Sequence, residues 1–404
     1  MKISRVDAFA VTAKPIDSET YWGSRAWNAE SHRRELSAEF PAPQRRKFIY
    51  SQTIDTVLVR LTTDDGLTGW GEAKAPVAPE VTKSIIDLLL APIAIGSDPR
   101  QVSVLWERMY AGMRVRGHRA GFYLEAMSGI DIAVWDMLGQ IHGSSIATLL
   151  GGSFRNPVRT YASGLPTLPR NASEEELEKL VRDAIRIRDC GFTGLKLAMG
   201  RDVHGDLRCA QILREKLGND FLLYADAAGV YDRTQALWMG KQLEELGAVF
   251  FEMPIPPEDV EGYSDLAQEL DIPIALDSLT SRYETLEFLR RKGLDIVQPD
   301  VCRAGGITEC RRIAELADAF GASFAPHVSI GSLISFAASA HLGAAMPNTL
   351  VMEYWIGVNP LGEGLFERPL RMEQGYIYVP DSPGLGVRID TQALKDISPP
   401  AVAV

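Results

Sequence analysis

Basic charge, cysteine and long apolar runs are scarce in this sequence of 404 residues. Asp and Glu number 53 against 42 Lys and Arg, a formal net charge of -11. That balance disfavours nucleic acid as a general partner. The four cysteines, Cys190, Cys209, Cys302 and Cys310, include no CxxC pair. A disulfide framework and a thiolate metal site are therefore not expected, and a reduced, cytoplasmic protein is. No stretch approaches the roughly 18 apolar residues that a membrane helix requires, so no membrane partner is expected. The opening MKISRVDAFAV has neither the apolar core nor the small-residue cleavage site of a secretory leader. Low-complexity segments are absent. With 46% hydrophobic and 24% charged residues, the chain has enough apolar material for a barrel and a second domain.

A ladder of ionisable residues runs through the second half. Its rungs are Lys196, Asp226, Glu252, Asp277, Asp300, His327 and Glu353, at intervals of 30, 26, 25, 23, 27 and 26. An interval near 25 is about the length of one strand, one helix and two short loops. The acidic and histidine rungs each close an apolar run: FLLYAD, VFFE, PIALD, IVQPD, SFAPH and LVME. Turn residues and a helical pattern come next. In a parallel (β/α) barrel all strand C-terminal ends open on one face, where active sites are built. Residues of ordinary salt bridges would fall at arbitrary phases of the repeat.

Ahead of the ladder the pattern is different. Residues 2–12 read as a strand, and 53–60 with 67–71 as a hairpin around Asp65-Gly66. Between them lies a polar stretch from Ile16 to Tyr50, rich in Trp and Arg, whose length and content suggest a lid. Helices are expected at 81–90, 102–113 and 123–142. Residues 1–125 are thus an α+β domain. Alternation begins at Asn156. Ser173 and Glu176 form a capping box that opens a helix ending at Gly191. In the strand 194–199, Lys196 and Ala198 share the face that points to the barrel axis. Further helices are expected at 233–246, 258–270, 281–292, 307–320 and 331–345. Residues 126–369 form the barrel unit. The segment 370–404 is expected to return to the first domain.

The rungs suggest a chemistry. Asp226, Glu252 and Asp277 end three consecutive strands, and three carboxylates at one locus repel unless a cation lies between them. Any one could be the N-cap of its helix, but three in succession at the same strand end fit that role poorly. All-oxygen ligands point to a hard ion, Mg2+ first and Mn2+ second. Asp300 and His327 end the next two strands, and a carboxylate beside an imidazole fixes its tautomer and raises its basicity. Glu353 closes the last strand, where it could give a proton or hydrogen bond to a substrate oxygen. Lys196, across the mouth from His327, could hold an anion. Together these suggest proton abstraction next to a substrate carboxylate, with developing negative charge held by cations. Enolase-superfamily sites work in this way, with a Lys or His base and Mg2+.

The sequence resembles the mandelate racemase and muconate-lactonising group of that superfamily over nearly its full length. The stretches that carry the resemblance are DDGLTGWGEA, MSGIDIAVWDMLGQ, LLGG, GFTGLKLAMG, FEMP, DIVQPDVCRAGGITE, APHV and PDSPGLG. It implies a modified (β/α)7β TIM barrel with an N-terminal α+β capping domain completed by the C-terminal segment. It also implies that symmetric homo-oligomers form and that cap loops roof the pocket. Trp22 and Arg25, in one such loop, are expected to touch the far end of the substrate. Asp226, Glu252 and Asp277 match the family's metal ligands, Asp300 and His327 its dyad, Glu353 its last-strand acid. Lys196 matches the first lysine of the family's Lys-x-Lys.

Four positions depart from the family pattern. The second lysine of Lys-x-Lys is Ala198, Ala228 stands where Asn is frequent, and Met253 replaces an acidic or amide residue. Asp277 lies in Leu-Asp-Ser rather than Gly-Glu, which makes it the weakest match among the ligands. Ala198 bears most on the reaction. A racemase needs a base on each face of the substrate, and one face is blank. His327 remains as sole base. The reading is a dehydratase of a sugar acid, an aldonate or aldarate, giving a 2-keto-3-deoxy acid. One alternative is a sugar-lactone cycloisomerase, since the cap helices and GSDPRQ resemble galactarolactone cycloisomerases. A second is a catalytically silent relative that binds metal or a sugar acid.

Overall fold

The computed structural model describes residues 1–13, 53–357 and 359–397. Three antiparallel strands form the cap sheet, β1 (Ile3–Ala13), β2 (Ile54–Thr63) and β3 (Thr68–Ala73), in that order. The turn between β2 and β3 is the expected Asp65-Gly66, with Gly66 at φ 90. The longer cap helices follow: α1 (Pro79–Ile85), α2 (Val102–Arg114) and α3 (Phe122–His142). α1 runs on through a π-helical turn at Ile86–Leu90.

α3 has few exposed residues because it is packed on two sides. Toward the cap its backbone lies close on β3. A Cβ built on Gly71 would stand 1.9 Å from the carbonyl oxygen of Gly129, so only glycine fits at that crossing. Toward the barrel, buried Asp131 accepts from the Thr308 hydroxyl at 2.6 Å and its backbone N–H at 2.9 Å. The Trp135 indole donates to the same hydroxyl. The expected domain boundary at 125/126 therefore cuts through a helix that belongs to both layers.

Eight parallel strands make the barrel: β4 (Val158–Pro166), β5 (Gly194–Ala198), β6 (Leu222–Asp226), β7 (Phe251–Glu252), β8 (Ile274–Leu276), β9 (Ile296–Val297), β10 (Ser323–Phe324) and β11 (Met352–Trp355). Neighbours pair in chain order from β4 to β10. The sheet closes because β11 pairs with β4 and a bridge joins Phe324 to Thr349. Seven helices fill the crossovers: α4 (Glu174–Asp189), α5 (Val203–Leu217), α6 (Arg233–Glu245), α7 (Val260–Glu269), α8 (Arg282–Arg290), α9 (Gly306–Ala319) and α10 (Leu333–Ala345). This is the (β/α)7β pattern. The capping box of Ser173 and Glu176 is present at the start of α4, and Asp232 with Gln235 makes another at α6. A second apolar cluster in the barrel gathers Tyr161, Tyr224, Phe250, Ala275, Ile296, Ala325 and Val351, one from each strand region except β5.

The C-terminal segment divides its contacts. A two-residue strand, β13 (Tyr376–Ile377), pairs with β12 (Met372–Glu373) and antiparallel with Arg159 and Val158 of β4. This part joins the barrel, contrary to the expected return to the cap. The rest does reach the cap layer: the Leu385 N–H donates to Asp136 of α3 at 2.9 Å, and α11 (Thr391–Ile397) lies against β1. β4 thus pairs with β11 through residues 160–163 and with β13 through Val158 and Arg159.

Gly71→Ala is expected to lower the thermal midpoint, with a loss of about 1–3 kcal/mol or more from overpacking. An unchanged midpoint would contradict the close β3–α3 crossing.

Candidate active site

The rungs meet at the C-terminal rim of the barrel. Asp226 and Glu252 are register partners at the ends of β6 and β7. Asp277 comes one residue after β8, while Asp300 and His327 form an isolated parallel bridge beyond β9 and β10. Glu353 lies second in β11, inside the strand rather than at its close. Lys196 is the third residue of β5 and points inward with 3% side-chain exposure.

Lys196 is enclosed by carboxylates. Its Nζ lies 2.9 and 3.0 Å from the two oxygens of Glu252, 3.3 Å from Asp226 Oδ2 and 3.2 Å from Glu353 Oε1. Burial works against its charge, but Glu252 and Glu353 outweigh it and hold Lys196 well above the usual lysine range. The ring of Tyr161 lies beneath, its centroid 5.7 Å from Nζ. Burial pushes the carboxyls of Asp226 and Glu252 up; Lys196 opposes that, and Asp277 adds to it. Gln298 donates to Glu252 Oε2 at 3.0 Å.

His327 anchors the other side. Its Nδ1 is 2.9 Å from Asp300 Oδ2, and its Nε2 is 3.5 Å from both Asp277 Oδ2 and Glu353 Oε2. Asp300 is fully buried. Burial raises its carboxyl, but Lys74 and then His327 outweigh that and bring it down to about 2. An ionised Asp300 can only accept, so Nδ1 of His327 carries a proton, and in the neutral ring the lone pair is on Nε2, which faces the rim. Glu353 Oε2 accepts from the N–H groups of Val328 and Ser329 at 2.9 and 2.8 Å. Burial alone would raise Glu353, yet Lys196 and His327 hold it well below the usual carboxylate range. In these two hydrogen bonds Glu353 Oε2 is the acceptor.

The backbone beside the rungs is strained. Ala228, Met253 and Ser329 adopt left-handed φ values of 49, 39 and 51 within two residues of Asp226, Glu252 and His327. Non-glycine residues in that region carry a cost of about 1–3 kcal/mol. Two of the four departures from the family pattern, Ala228 and Met253, are thus turn positions that aim the preceding carboxylates. The Ala228 N–H donates to Asp226 Oδ1 at 2.8 Å.

The donor set fits a hard dication. Ligand atoms of Glu252, Asp277 and His327 lie within 4.8 Å of one another, so two of the three expected ligands share this group and His327 stands in it where Asp226 was expected. Asp277 Oδ1 is buried and has no hydrogen-bond partner among the described residues. Asp226, Glu252, Asp277, Asp300 and Glu353 carry five negative charges when ionised. Lys196, Lys74 and Arg303 supply three positive ones, at 2.8 to 3.8 Å from their partners. Two negative charges are left over at one buried locus, which a divalent ion would neutralise.

Two neighbours carried no signal in the ladder. Gln298 lies two residues before Asp300. Lys74 follows β3 of the cap, and its Nζ is 2.8 Å from Asp300 Oδ2. Neither shares the strand-helix period, so only the fold brings them to the rim. Trp22 and Arg25 lie outside the described residues. Ser278 Oγ is buried without a hydrogen-bond partner among the described residues.

Residues 36–151 match the family model described as "Mandelate racemase / muconate lactonizing enzyme, N-terminal domain". Residues 179–393 match "Enolase C-terminal domain-like". A D-galactarolactone cycloisomerase of Agrobacterium fabrum is 35% identical, covering 85% of this chain and 91% of that protein. An arabinonate dehydratase of Saccharolobus solfataricus is 34% identical, covering 85% and 90%. Among solved structures, the 3,6-anhydro-D-galactonate cycloisomerase from Zobellia galactanivorans superposes with a TM-score of 0.83 at 28% identity, covering 99% of this chain and 100% of that one. No helix among the described residues is long and apolar enough to cross a membrane.

Mn2+ titrated into the protein is expected to bind one ion per chain. Asp226→Asn and Asp277→Asn should each weaken that binding at least tenfold, read by calorimetry. Equal affinity in both variants and the wild type would exclude the rim as the ion site.

Proposed function

The chain belongs to the mandelate racemase and muconate-lactonising group of the enolase superfamily and is an enzyme; from that premise we propose that it dehydrates a sugar acid, an aldonate or aldarate. The observation that carries the reading is the asymmetry of the rim. His327 presents Nε2 on one side, and Ala198 offers no base on the other. One base can remove an α-proton, yet cannot invert the centre through an opposite-face acid.

In this reading Asp226, Glu252 and Asp277 would hold Mg2+, with Mn2+ as the second choice, because all three supply hard oxygen. The ion would supply positive charge for the carboxylate end of the substrate. The protein's own groups do the rest. Lys196 places an ammonium near that end, where negative charge builds as the proton leaves. His327 Nε2 takes the α-proton, and the C–H electron pair moves into the forming carbon–carbon double bond. The β C–O bond breaks, and the same imidazole returns its proton to the departing hydroxyl, which leaves as water. The enol then tautomerises to the 2-keto-3-deoxy acid. Asp300 keeps the imidazole in the required tautomer throughout. Glu353, fixed by two backbone N–H groups and Lys196, orients without giving up a proton.

The 35% identity to a galactarolactone cycloisomerase favours a second reading. The first step is the same, but the leaving group is the ring oxygen of a lactone, so no water is lost. Mass separates the two: a dehydratase product is lighter than its substrate by one water, whereas an isomerase product has the same mass.

A panel of aldonates, aldarates and their lactones with Mg2+ is expected to yield a 2-keto acid lighter by one water from at least one open-chain acid. His327→Asn should reduce that turnover by about 10²- to 10⁴-fold. Silence across the panel, or full activity in His327→Asn, would overturn the reading.

A further inference from the structure

Lys74 stands out among the charged groups that the proposed reaction does not use. It enters from the cap rather than the barrel, and its side chain is 8% exposed. Burying an ammonium is costly unless it is fully paired. Its Nζ donates to Asp300 Oδ2 at 2.8 Å and also to the carbonyl oxygen of Val328. That same Oδ2 accepts from His327 Nδ1 at 2.9 Å, while Oδ1 accepts from the Cys302 N–H at 2.8 Å. Val328 is the residue after the imidazole, and its own N–H holds Glu353. One ammonium thus ties together the acid of the dyad and the backbone that carries its base.

The attachment of Lys74 is rigid. Its backbone N–H donates to the Cys302 carbonyl at 3.0 Å. Two residues earlier, buried Glu72 accepts from the N–H and hydroxyl of Ser332 and from the Ser335 N–H, at 2.7 to 3.1 Å. These contacts pin the loop from His327 to α10 onto the end of β3. A purely structural clamp would be complete with Glu72. Lys74 adds a charge aimed at the one carboxylate that orients the imidazole.

We infer that Lys74 is a positioning residue for His327: its ammonium, held between Asp300 Oδ2 and the Val328 carbonyl, keeps the Asp300 carboxylate in register with Nδ1, so that Nε2 faces the reacting carbon. The catalytic half of this inference rests on the proton abstraction proposed above; the placement of His327 does not. Without Lys74, Asp300 is a fully buried carboxylate left with the Cys302 N–H on Oδ1 and the imidazole on Oδ2. The proton between them is then free to shift toward Asp300 and the ring to turn.

The test uses full-length protein labelled with 15N-histidine, the wild type beside Lys74→Met. The Nδ1 proton of His327, identified by its loss in His327→Asn, is expected far downfield in the wild type. In Lys74→Met it should vanish or move upfield. Turnover of a panel substrate should fall about 10- to 100-fold in kcat with KM little changed, the size seen when the partner of a functional histidine is lost. If Lys74→Met does not fold, Lys74→Gln, which keeps a donor without the charge, is read in the same two ways. An unchanged resonance in the folded variant overturns the inference whatever the activity, and so does an unchanged kcat. A wild type silent on every substrate, with the resonance still moved in Lys74→Met, refutes the proposed reaction and upholds the placement of His327 by Lys74.

Discussion

Negative charge gathered at one buried rim is the constraint from which most of this structure follows. Asp226, Glu252, Asp277, Asp300 and Glu353 are brought together by barrel closure, and none is free to leave. In a low-dielectric setting each pair costs several kcal/mol unless countered. Lys196 is encircled for that reason, and Lys74 is drawn in from another domain. The excess that remains is the physical case for a divalent ion. The chemistry proposed uses the same imbalance, because a site built to hold cations also receives a substrate carboxylate.

The cap is therefore part of the site and more than a roof. Through Glu72 and Lys74 the end of β3 holds the loop that carries His327. Through Asp131, Trp135 and Trp106 the cap helices hold the start of α9, just after Asp300. The two dyad residues are thus fixed from outside the barrel, whereas Asp226 and Glu252 are fixed by the barrel itself. Left-handed residues after Asp226, Glu252 and His327 store strain in the turns that aim them.

Much of this was legible in the sequence. The strand-helix period reflects a physical repeat, so Lys196, the carboxylates and His327 stand out in it. Helix ends were readable wherever a side chain satisfies them, as Ser173 and Glu176 do. Three things were not readable. Strands such as β7, β9 and β10 are only two residues long, so their ends are set by closure rather than by local pattern. α3 is apolar nearly all round because two layers claim it, and no periodicity says which domain owns such a helix. Lys74 and β13 act through pairings across 226 residues (Lys74 to Asp300) and 217 residues (Arg159 to Tyr376), which leave no local trace. The stretch expected from the sequence to be a lid, with Trp22 and Arg25, lies outside the described residues.

The central claim is that, among the described residues, one imidazole is the only proton acceptor at the reacting carbon. Proton NMR of a turned-over sugar acid in deuterated buffer tests it most directly, by following the configuration at C2 of the substrate that remains. A single base on the His327 side predicts conversion to the keto acid with no C2 epimer at any time. Accumulation of that epimer would require a second base on the Ala198 side and would contradict the account.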